Sequence, residues 1–253
     1  MNSVQVIAIE GLPLSKKDDN IGQLLVSATK KQGIQLQERD IIVVTHVFVS
    51  KAEGNVVNLD TIKPSERAFE IAKQTNKDPA LVEVILQEAK EIVKIGSNSI
   101  ITETKSGTIS ANSGVDRSNV LGERNVVPLP KDPNKSAHNI RTEIKQLTGV
   151  NVAVIISDTH GRPFRIGEIN VAIGVAGIKP IRDRRGEKDL FGYTLRIKQT
   201  AIADELASTA ELVIGQASEG IPAAIIRGYT AYQVDENIAT DKLIRSKEKD
   251  LFR

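Results

Sequence analysis

The chain contains no cysteine and no tryptophan, and aromatic residues make up only 3% of its 253 residues. The absence of cysteine excludes disulfide bonds, thiolate nucleophiles and cysteine-containing zinc sites. With so few aromatic side chains, the core must be built from isoleucine, valine, leucine and alanine. Hydrophobic residues at 40% and charged residues at 26% are typical of a globular protein rather than a disordered one.

Long apolar runs and an excess of one charge are also missing. No apolar run reaches the roughly 18 residues of a membrane-spanning helix, and no basic segment followed by a long apolar one opens the chain. The 34 Lys and Arg residues are nearly balanced by 32 Asp and Glu residues, so bulk charge does not indicate nucleic acid binding. We therefore expect a cytoplasmic protein that binds neither nucleic acid nor membrane.

The motifs of several common enzyme classes are absent. There is no G-x-G-x-x-G dinucleotide loop and no G-x-S-x-G nucleophile elbow. Gly215 and Gly220 have the spacing of a phosphate loop, but Ile221 and Pro222 follow them where that motif has Lys and Ser or Thr. The chain has three histidines, His46, His138 and His160. They are too dispersed for a helical zinc motif, so no histidine-based metal site is expected.

Hydrophobic periodicity predicts a mixed α/β fold, with mixed sheets packed against helices. The predicted strands are 4–9, 41–49, 152–156, 169–175 and 223–226, and the predicted helices are 21–28, 64–94, 136–147 and 202–213. Asp78 and Pro79 form an N-cap and first-turn pair, Ser136 caps the third helix, and Gly149 ends it. We predict one domain over residues 1–253, with a division into two subdomains near 126–134 as the alternative.

Short polar segments follow several of the predicted strands. An isolated Asp in such a place is more often a turn former or helix cap than a metal ligand. Two such acids, Asp116 and Asp158, favour a site for Mg²⁺ or Mn²⁺, which typically bind one or two carboxylates together with phosphate oxygens. Basic residues such as Lys51 and Arg162 occur in the same segments and suit a polyphosphate. Phosphate chemistry is therefore the leading function class.

Taken together and in order, these segments resemble one family, the coenzyme F420-0:L-glutamate ligases, also called F420 γ-glutamyl ligases. The resemblance extends from residue 4 to residue 230 and rests on 10–14 (EGLPL), 49–54 (VSKAEG), 64–68 (PSERA), 112–116 (NSGVD), 118–120 (SNV), 158–159, 161–162, 164–165, 188–190 with Gly192, and 220–223 (GIPA). So many ordered segments are far more specific than any single motif.

The resemblance implies a GTP-dependent ligase that joins a deazaflavin precursor, coenzyme F420-0, to L-glutamate through an acyl phosphate. Some members of the family add further γ-linked glutamates. The resemblance also implies two divalent cations, Mg²⁺ or Mn²⁺, and an intertwined homodimer with a ligase fold of its own, and it leaves open whether K⁺ takes part. A basic loop containing Arg182, Arg184 and Arg185 would then meet the anionic groups of the deazaflavin substrate.

Site residues carry over position by position from the same resemblance. Asp116 and Asp158 match metal ligands of the catalytic centre, and Thr159 and Gln216 match positions that hold a second cation. The chain departs from the family pattern at His46 and Val47, where a small hydroxyl pair is usual, and at His160, where an amide is usual. The positions that match the GTP site are Gly11, Leu12, Pro13, Leu14, Lys51, Asn119, Gly215, Gln216, Ala217, Ser218, Glu219, Gly220, Ile221 and Pro222.

Three alternatives stay open at the level of sequence. The first is a GTP-dependent amide ligase that acts on a different carboxylate acceptor, because specificity depends on loops. The second is a metal-dependent phosphohydrolase, in which the paired acids activate water. The third is a non-catalytic nucleotide-binding module, which would tolerate loss of the metal ligands.

Overall fold

The computed structural model describes residues 3–231, 234 and 240–251. This part of the chain contains twelve strands and six α-helices. The strands are β1 (Gln5–Ala8), β2 (Ile41–Thr45), β3 (Val57–Asn58), β4 (Ala89–Ile95), β5 (Ile100–Thr104), β6 (Ile109–Ala111), β7 (Asn125–Val126), β8 (Ala153–His160), β9 (Ile169–Ala176), β10 (Arg182–Asp183), β11 (Gln199–Thr200) and β12 (Ala223–Arg227). The helices are α1 (Ile21–Lys31), α2 (His46–Ala52), α3 (Glu66–Thr75), α4 (Pro79–Glu88), α5 (Pro133–Thr148) and α6 (Ile202–Ile214). The predicted mixed α/β fold is confirmed. Among these helices, none has the length and apolar character needed to cross a membrane.

A five-stranded sheet in the order β1-β12-β2-β8-β9 forms the centre of the molecule. The neighbours β2 and β8 are parallel, whereas the other neighbouring strands of this sheet are antiparallel. In the parallel pair, Thr45 at the end of β2 lies opposite Ser157 of β8. The residues that follow these two positions are therefore brought together at one edge of the sheet.

Both faces of the central sheet are covered by helices. Ile42 and Val44 of β2 pack in a core with α1 and α5, whereas Ile41 and Val43 pack in a second core with α6. All four side chains are fully buried. An uninterrupted run of β-branched residues is what a strand covered on both faces requires, which is why this strand could be predicted from the sequence.

Residues 57–126 contain a third core, between α3, α4 and the sheet β4-β5-β6. Asp116 belongs to this part of the chain, and its backbone exchanges two hydrogen bonds with Val127, at 2.9 and 2.8 Å. This bridge carries Asp116 toward the central sheet. The single domain over residues 1–253 and the alternative division near 126–134 both stay predictions.

Three predicted boundaries beside the central sheet are wrong. The strand predicted over 152–156 continues to His160 as β8, so Asp158 and Thr159 lie within the strand rather than after its end. The strand predicted over 41–49 ends at Thr45, and helix α2 begins at His46, so Lys51 lies in the last turn of a helix rather than beyond a strand. Helix α5 begins at Pro133 and not near Ser136, because Asp132 caps it by accepting a hydrogen bond from Lys135 N at 2.9 Å. At α5 a side-chain cap therefore decides where the helix begins, whereas Thr45, which precedes α2, makes no side-chain cap hydrogen bond.

The helical region predicted over 64–94 is two helices followed by a strand. Asn76, with a φ of 51°, ends α3 in the left-handed conformation, and the predicted cap at Asp78 with Pro79 begins α4. Ala89 and Ile92, which continue the helical spacing, instead lie in β4 and pair with β5. Antiparallel pairing with the next strand along the chain decides the conformation here, and helical periodicity alone does not report it.

Candidate active site

A cavity of about 390 Å³ lies at the edge of the central sheet where β2 ends and Ser157 begins the polar part of β8. The turn after β1, helix α2, residues 118–121, Asn170, the end of α6 and the loop 215–222 also contribute to its lining. Of the site residues predicted from the sequence, only Gly11 and Ser218 do not line this cavity, although each lies in a segment that does. The structure therefore brings the predicted residues together from five separate segments of the chain.

Three ligand-capable side chains converge in this cavity. His46 Nε2 lies 3.1 Å from Asp116 Oδ2 and 3.3 Å from Asp158 Oδ1, and the ligand atoms of the three residues all lie within 4.8 Å of one another. The parallel pairing of Thr45 with Ser157 explains why His46 and Asp158 are neighbours. An imidazole with two carboxylates is a donor set that binds a divalent transition metal ion such as Mn²⁺.

The electrostatics of this cluster favour a positive charge between the carboxylates. Burial lowers the pKa of His46, but the charges and hydrogen bonds of Asp158 and Asp116 outweigh burial and raise it to about 9. Burial favours the neutral form of Asp158, but His46 and His160 together hold the pKa of that carboxyl well below its usual range. A protonated imidazole or a bound cation can supply the required charge.

Lys51 and several turns with positive φ also line the cavity. Lys51 Nζ donates to the backbone oxygen of Asn119 at 3.2 Å, and burial lowers the pKa of Lys51. Asn119 has a φ of 54°, and Gly215 and Gly220 have φ values of 74° and 69°. In such turns, backbone groups rather than side chains face a ligand, and a lysine supplies a point charge for phosphate.

A second polar cluster lies farther along β8, at Thr159. Asn170 of β9 lies directly opposite Thr159, and Thr159 Oγ1 is 2.9 Å from Asn170 Oδ1. Gln216 Nε2 is 3.0 Å from Thr159 Oγ1 and 3.2 Å from Asn170 Oδ1, while Asn170 Nδ2 donates to Glu211 Oε2 at 2.6 Å. Burial raises the pKa of Glu211. The predicted pair Thr159 and Gln216 is therefore in contact.

Three side chains of these clusters were not predicted from the sequence as ligand or supporting groups. From the sequence, His46 is a departure from the family pattern inside a predicted strand, and no histidine-based metal site is expected. The convergence of His46 with Asp116 and Asp158 runs against that expectation. Asn170 is a single amide in an apolar strand, and that amide was the signal available for it. Glu211 lies on a partly exposed turn of α6, and its neighbours in the sequence do not mark it as a candidate site residue.

The arginines of the predicted basic loop do not line the cavity in the part of the chain that is described. Arg184 pairs with Glu187 at 2.9 Å, and Arg185 pairs with Asp183. Two of the three arginines are thus already neutralised within their own loop, and their contact with a deazaflavin substrate stays a hypothesis.

Comparison with known proteins gives one consistent result. A family model described as F420-0:Gamma-glutamyl ligase matches residues 11–228. A coenzyme F420:L-glutamate ligase of Methanothermobacter thermautotrophicus is 48% identical over 250 residues, which cover 99% of each chain. A protein of the same name from Methanocaldococcus jannaschii is 51% identical, over 99% of this chain and 97% of its own. The match spans both polar clusters and the core elements that position them. The chain therefore belongs to the F420-0:gamma-glutamyl ligase family.

Proposed function

We propose that this chain joins the carboxyl group of coenzyme F420-0 to the amino group of L-glutamate at the expense of GTP. Support comes from family membership and from relatives named coenzyme F420:L-glutamate ligase along the full length of the chain. The observation that carries the proposal is that one cavity is lined by the cluster His46, Asp116 and Asp158, by Lys51 and by the glycine-containing loop 215–222. That arrangement fits a metal-bound triphosphate beside the carboxylate of the substrate.

The donor groups fit two divalent cations. Asp116 and Asp158, with His46 as a third donor, would hold one ion, and Thr159 with Gln216 would hold the other. When bound, such ions neutralise triphosphate charge and keep attacking and leaving oxygens in line. Because imidazole binds Mn²⁺ better than Mg²⁺, the first group of donors favours Mn²⁺.

The remaining lining residues suit the nucleotide. Leu12, Pro13 and Leu14, together with Asn119 and residues 215–222, would enclose GTP, and Lys51 would pair with a phosphate oxygen. Gly11 and Ser218 would then act through the shape of their turns, since neither lines the cavity. Enclosing the phosphates in this way also excludes water, which would otherwise compete with the carboxylate for phosphoryl transfer.

The reaction proceeds in two balanced steps. A carboxylate oxygen of the precursor attacks the γ-phosphorus, and the bond to the β,γ-bridging oxygen breaks, giving an acyl phosphate and GDP. The glutamate amine then attacks the acyl carbon, phosphate leaves with the former carboxylate oxygen, and the amine proton passes to solvent or phosphate. The protein lowers the barrier by positioning and by electrostatic stabilisation, and no side chain has to form a covalent bond.

The direct test is an incubation of purified chain with F420-0, GTP, Mn²⁺ and L-glutamate, with products weighed by mass spectrometry. We expect one glutamyl increment per GDP and phosphate formed; a ladder of increments would report further γ-linked additions. Sustained GTP hydrolysis without either acceptor would favour the phosphohydrolase alternative. GTP binding with no turnover would favour the non-catalytic nucleotide-binding module. Product formation only with another carboxylate would favour the amide ligase that acts on a different acceptor.

An exposed arm supports the proposal that the chain forms a homodimer. Residues 184–198 form an arm held by backbone hydrogen bonds such as Arg184 N to Lys198 O at 3.0 Å and Gly186 N to Leu195 O at 2.8 Å. Leu190, Phe191 and Ile197 on this arm are 98%, 95% and 89% exposed. A two-stranded arm with uncovered apolar side chains is marginally stable alone, and a second copy of the chain would cover it. The cytoplasmic location stays a prediction.

A further inference from the structure

A continuous chain of polar side chains connects α6 with the proposed position of the second cation. Asn170 is 2% exposed, and its side-chain oxygen lies 2.9 Å from Thr159 Oγ1 and 3.2 Å from Gln216 Nε2. The side-chain nitrogen of Asn170 donates to Glu211 Oε2 at 2.6 Å. Asn170 is therefore the buried centre of the chain, and Glu211 is its far end.

The carboxylate of Glu211 sets the direction of these hydrogen bonds. An ionised carboxylate only accepts, so Asn170 must turn its NH₂ group toward Glu211 and its oxygen toward Thr159 and Gln216. Thr159 and Gln216 then use their protons as donors to that oxygen. The oxygens Thr159 Oγ1 and Gln216 Oε1, which lie 3.2 Å apart, keep lone pairs that a cation can use.

Glu211 also lacks the partner that a half-buried carboxylate normally has. Among the described residues, no lysine, arginine or histidine forms a salt bridge with it. The groups that act on its pKa besides burial are Gln216, Glu219 and Asn170, and none of them is cationic. An unbalanced negative charge beside two neutral oxygen donors is an environment that suits a divalent cation.

We infer that Asn170 and Glu211 are positioning residues for the second divalent cation: Glu211 orients the Asn170 amide, which holds Thr159 and Gln216 with their oxygens free. This inference rests on the proposed function. Outer partners of metal ligands typically change metal affinity by 10–100-fold when replaced. The contact between Glu211 and Asn170 is not needed simply to hold α6 on β9. Two other hydrogen bonds already join these elements: Ser208 Oγ donates to Asn170 O at 2.6 Å, and Ala172 N donates to Asp204 Oδ1 at 3.0 Å.

The variant Glu211→Gln tests the inference. It keeps the size of the side chain and can still accept from Asn170, but it can also donate, so it no longer fixes the direction of the amide. Bound Mn²⁺ would be counted by the EPR signal of the free ion, with a non-hydrolysable GTP analogue present. We expect two ions per wild-type chain, and in the variant an unchanged first ion and a second weakened by about 10–100-fold. The control Glu205→Gln removes the same charge from an exposed position on α6 and should match wild type.

A double-mutant comparison and the unfolding temperature separate positioning from structure. Asn170→Ala and the double variant Asn170→Ala, Glu211→Gln should weaken the second ion equally, because both act through one chain of bonds. Thermal unfolding of Glu211→Gln without cation should match wild type. Equal Mn²⁺ binding by wild type and Glu211→Gln, equal weakening of both ions, or a single ion in wild type would each overturn the inference. Failure of the product assay would instead reject the proposed function, whatever the Mn²⁺ count.

Discussion

Single residues set the charge balance of the cavity. Among the described residues, four carboxylates line it, from Asp116, Asp158, Glu211 and Glu219, together with one lysine, Lys51. The triphosphate of the proposed function would add further negative charge, so divalent cations would be needed to offset repulsion between carboxylates and phosphates. We therefore expect substitution of the carboxylates closest to His46 to have the largest effect on catalysis.

Replacing Asp158 by Asn should lower kcat by about 10²- to 10³-fold while the fold persists, because the change removes one ligand charge but almost no volume. The measurement is kcat for amide formation at saturating GTP and Mn²⁺, with thermal unfolding as the check on folding. Asp18→Asn is the matched control, since Asp18 is exposed and its φ of 71° suits asparagine. A folded Asp158→Asn protein with near-normal turnover would remove this residue from the proposed site.

His46 is expected to bind the first cation through nitrogen. Electron spin echo measurements on the Mn²⁺-loaded protein should detect a coupled ¹⁴N nucleus in wild type, and the coupling should disappear in His46→Gln. His138→Gln, at an exposed position on α5, should keep the coupling. Persistence of the nitrogen signal in His46→Gln would show that another group is the nitrogen ligand and would contradict this role.

Among single residues, the sequence predicted candidate site residues that come after a recognisable apolar run and did not predict those whose contacts depend on strand pairing. Asp158 follows an uninterrupted apolar run, which marks its position in a sheet. Asn170 contacts Thr159 only because the two residues are paired across β8 and β9, and this register includes a shift between Ile156 and Ser157. One extra residue in a strand changes which side chains meet, and hydrophobic periodicity does not report it.

At the scale of elements, the close approach of α5 to β9 supports the edge of the sheet that carries Asn170. A Cβ atom added to Gly174 would come within 2.3 Å of Pro133 O and 2.5 Å of Pro133 C at the start of α5. Because both neighbours are backbone atoms, they can move only if the helix moves. The absence of a side chain at Gly174 thus permits this helix and strand to pack.

Gly174→Ala should therefore reduce the free energy of unfolding by about 2–3 kcal/mol, a typical penalty for overpacking a core. Urea denaturation would measure it. Gly161→Ala is the control: a Cβ there meets nothing within 4 Å, so we expect a change below about 0.5 kcal/mol. Similar stability of the two variants would contradict the tight packing of α5 on β9.

The elements themselves differ in how far the sequence predicts them. The strands of the central sheet carry β-branched runs and were predicted, as was α6 with its apolar spacing. The sheet β4-β5-β6 was not predicted, since Ala89 and Ile92 continue a helical pattern and β4 becomes a strand only through pairing with β5. The sequence predicts a strand over residues 46–49, because an amphipathic turn of α2 and a strand can present the same short apolar run.

For the whole molecule, the exposed arm at 184–198 predicts association of two chains. Leu190→Asp with Phe191→Asp should convert a dimer to a monomer, because the charges would have to be buried in the interface. Size-exclusion chromatography with light scattering measures the mass. Leu251→Asp, at a leucine that is 88% exposed outside the arm, should leave the dimer intact. A monomeric wild type, or a dimer that survives both charges, would contradict this prediction.

In the proposed reaction, phosphoryl transfer activates a carboxylate in the cavity before an amine attacks it. F420-0 labelled with ¹⁸O in its carboxyl group tests this order of steps, because the oxygen that attacks the γ-phosphorus must leave with the phosphate. After reaction with GTP and L-glutamate, mass spectrometry should find one ¹⁸O atom in the released phosphate. Phosphate that carries no label, released together with the amide product, would rule out an acyl phosphate intermediate.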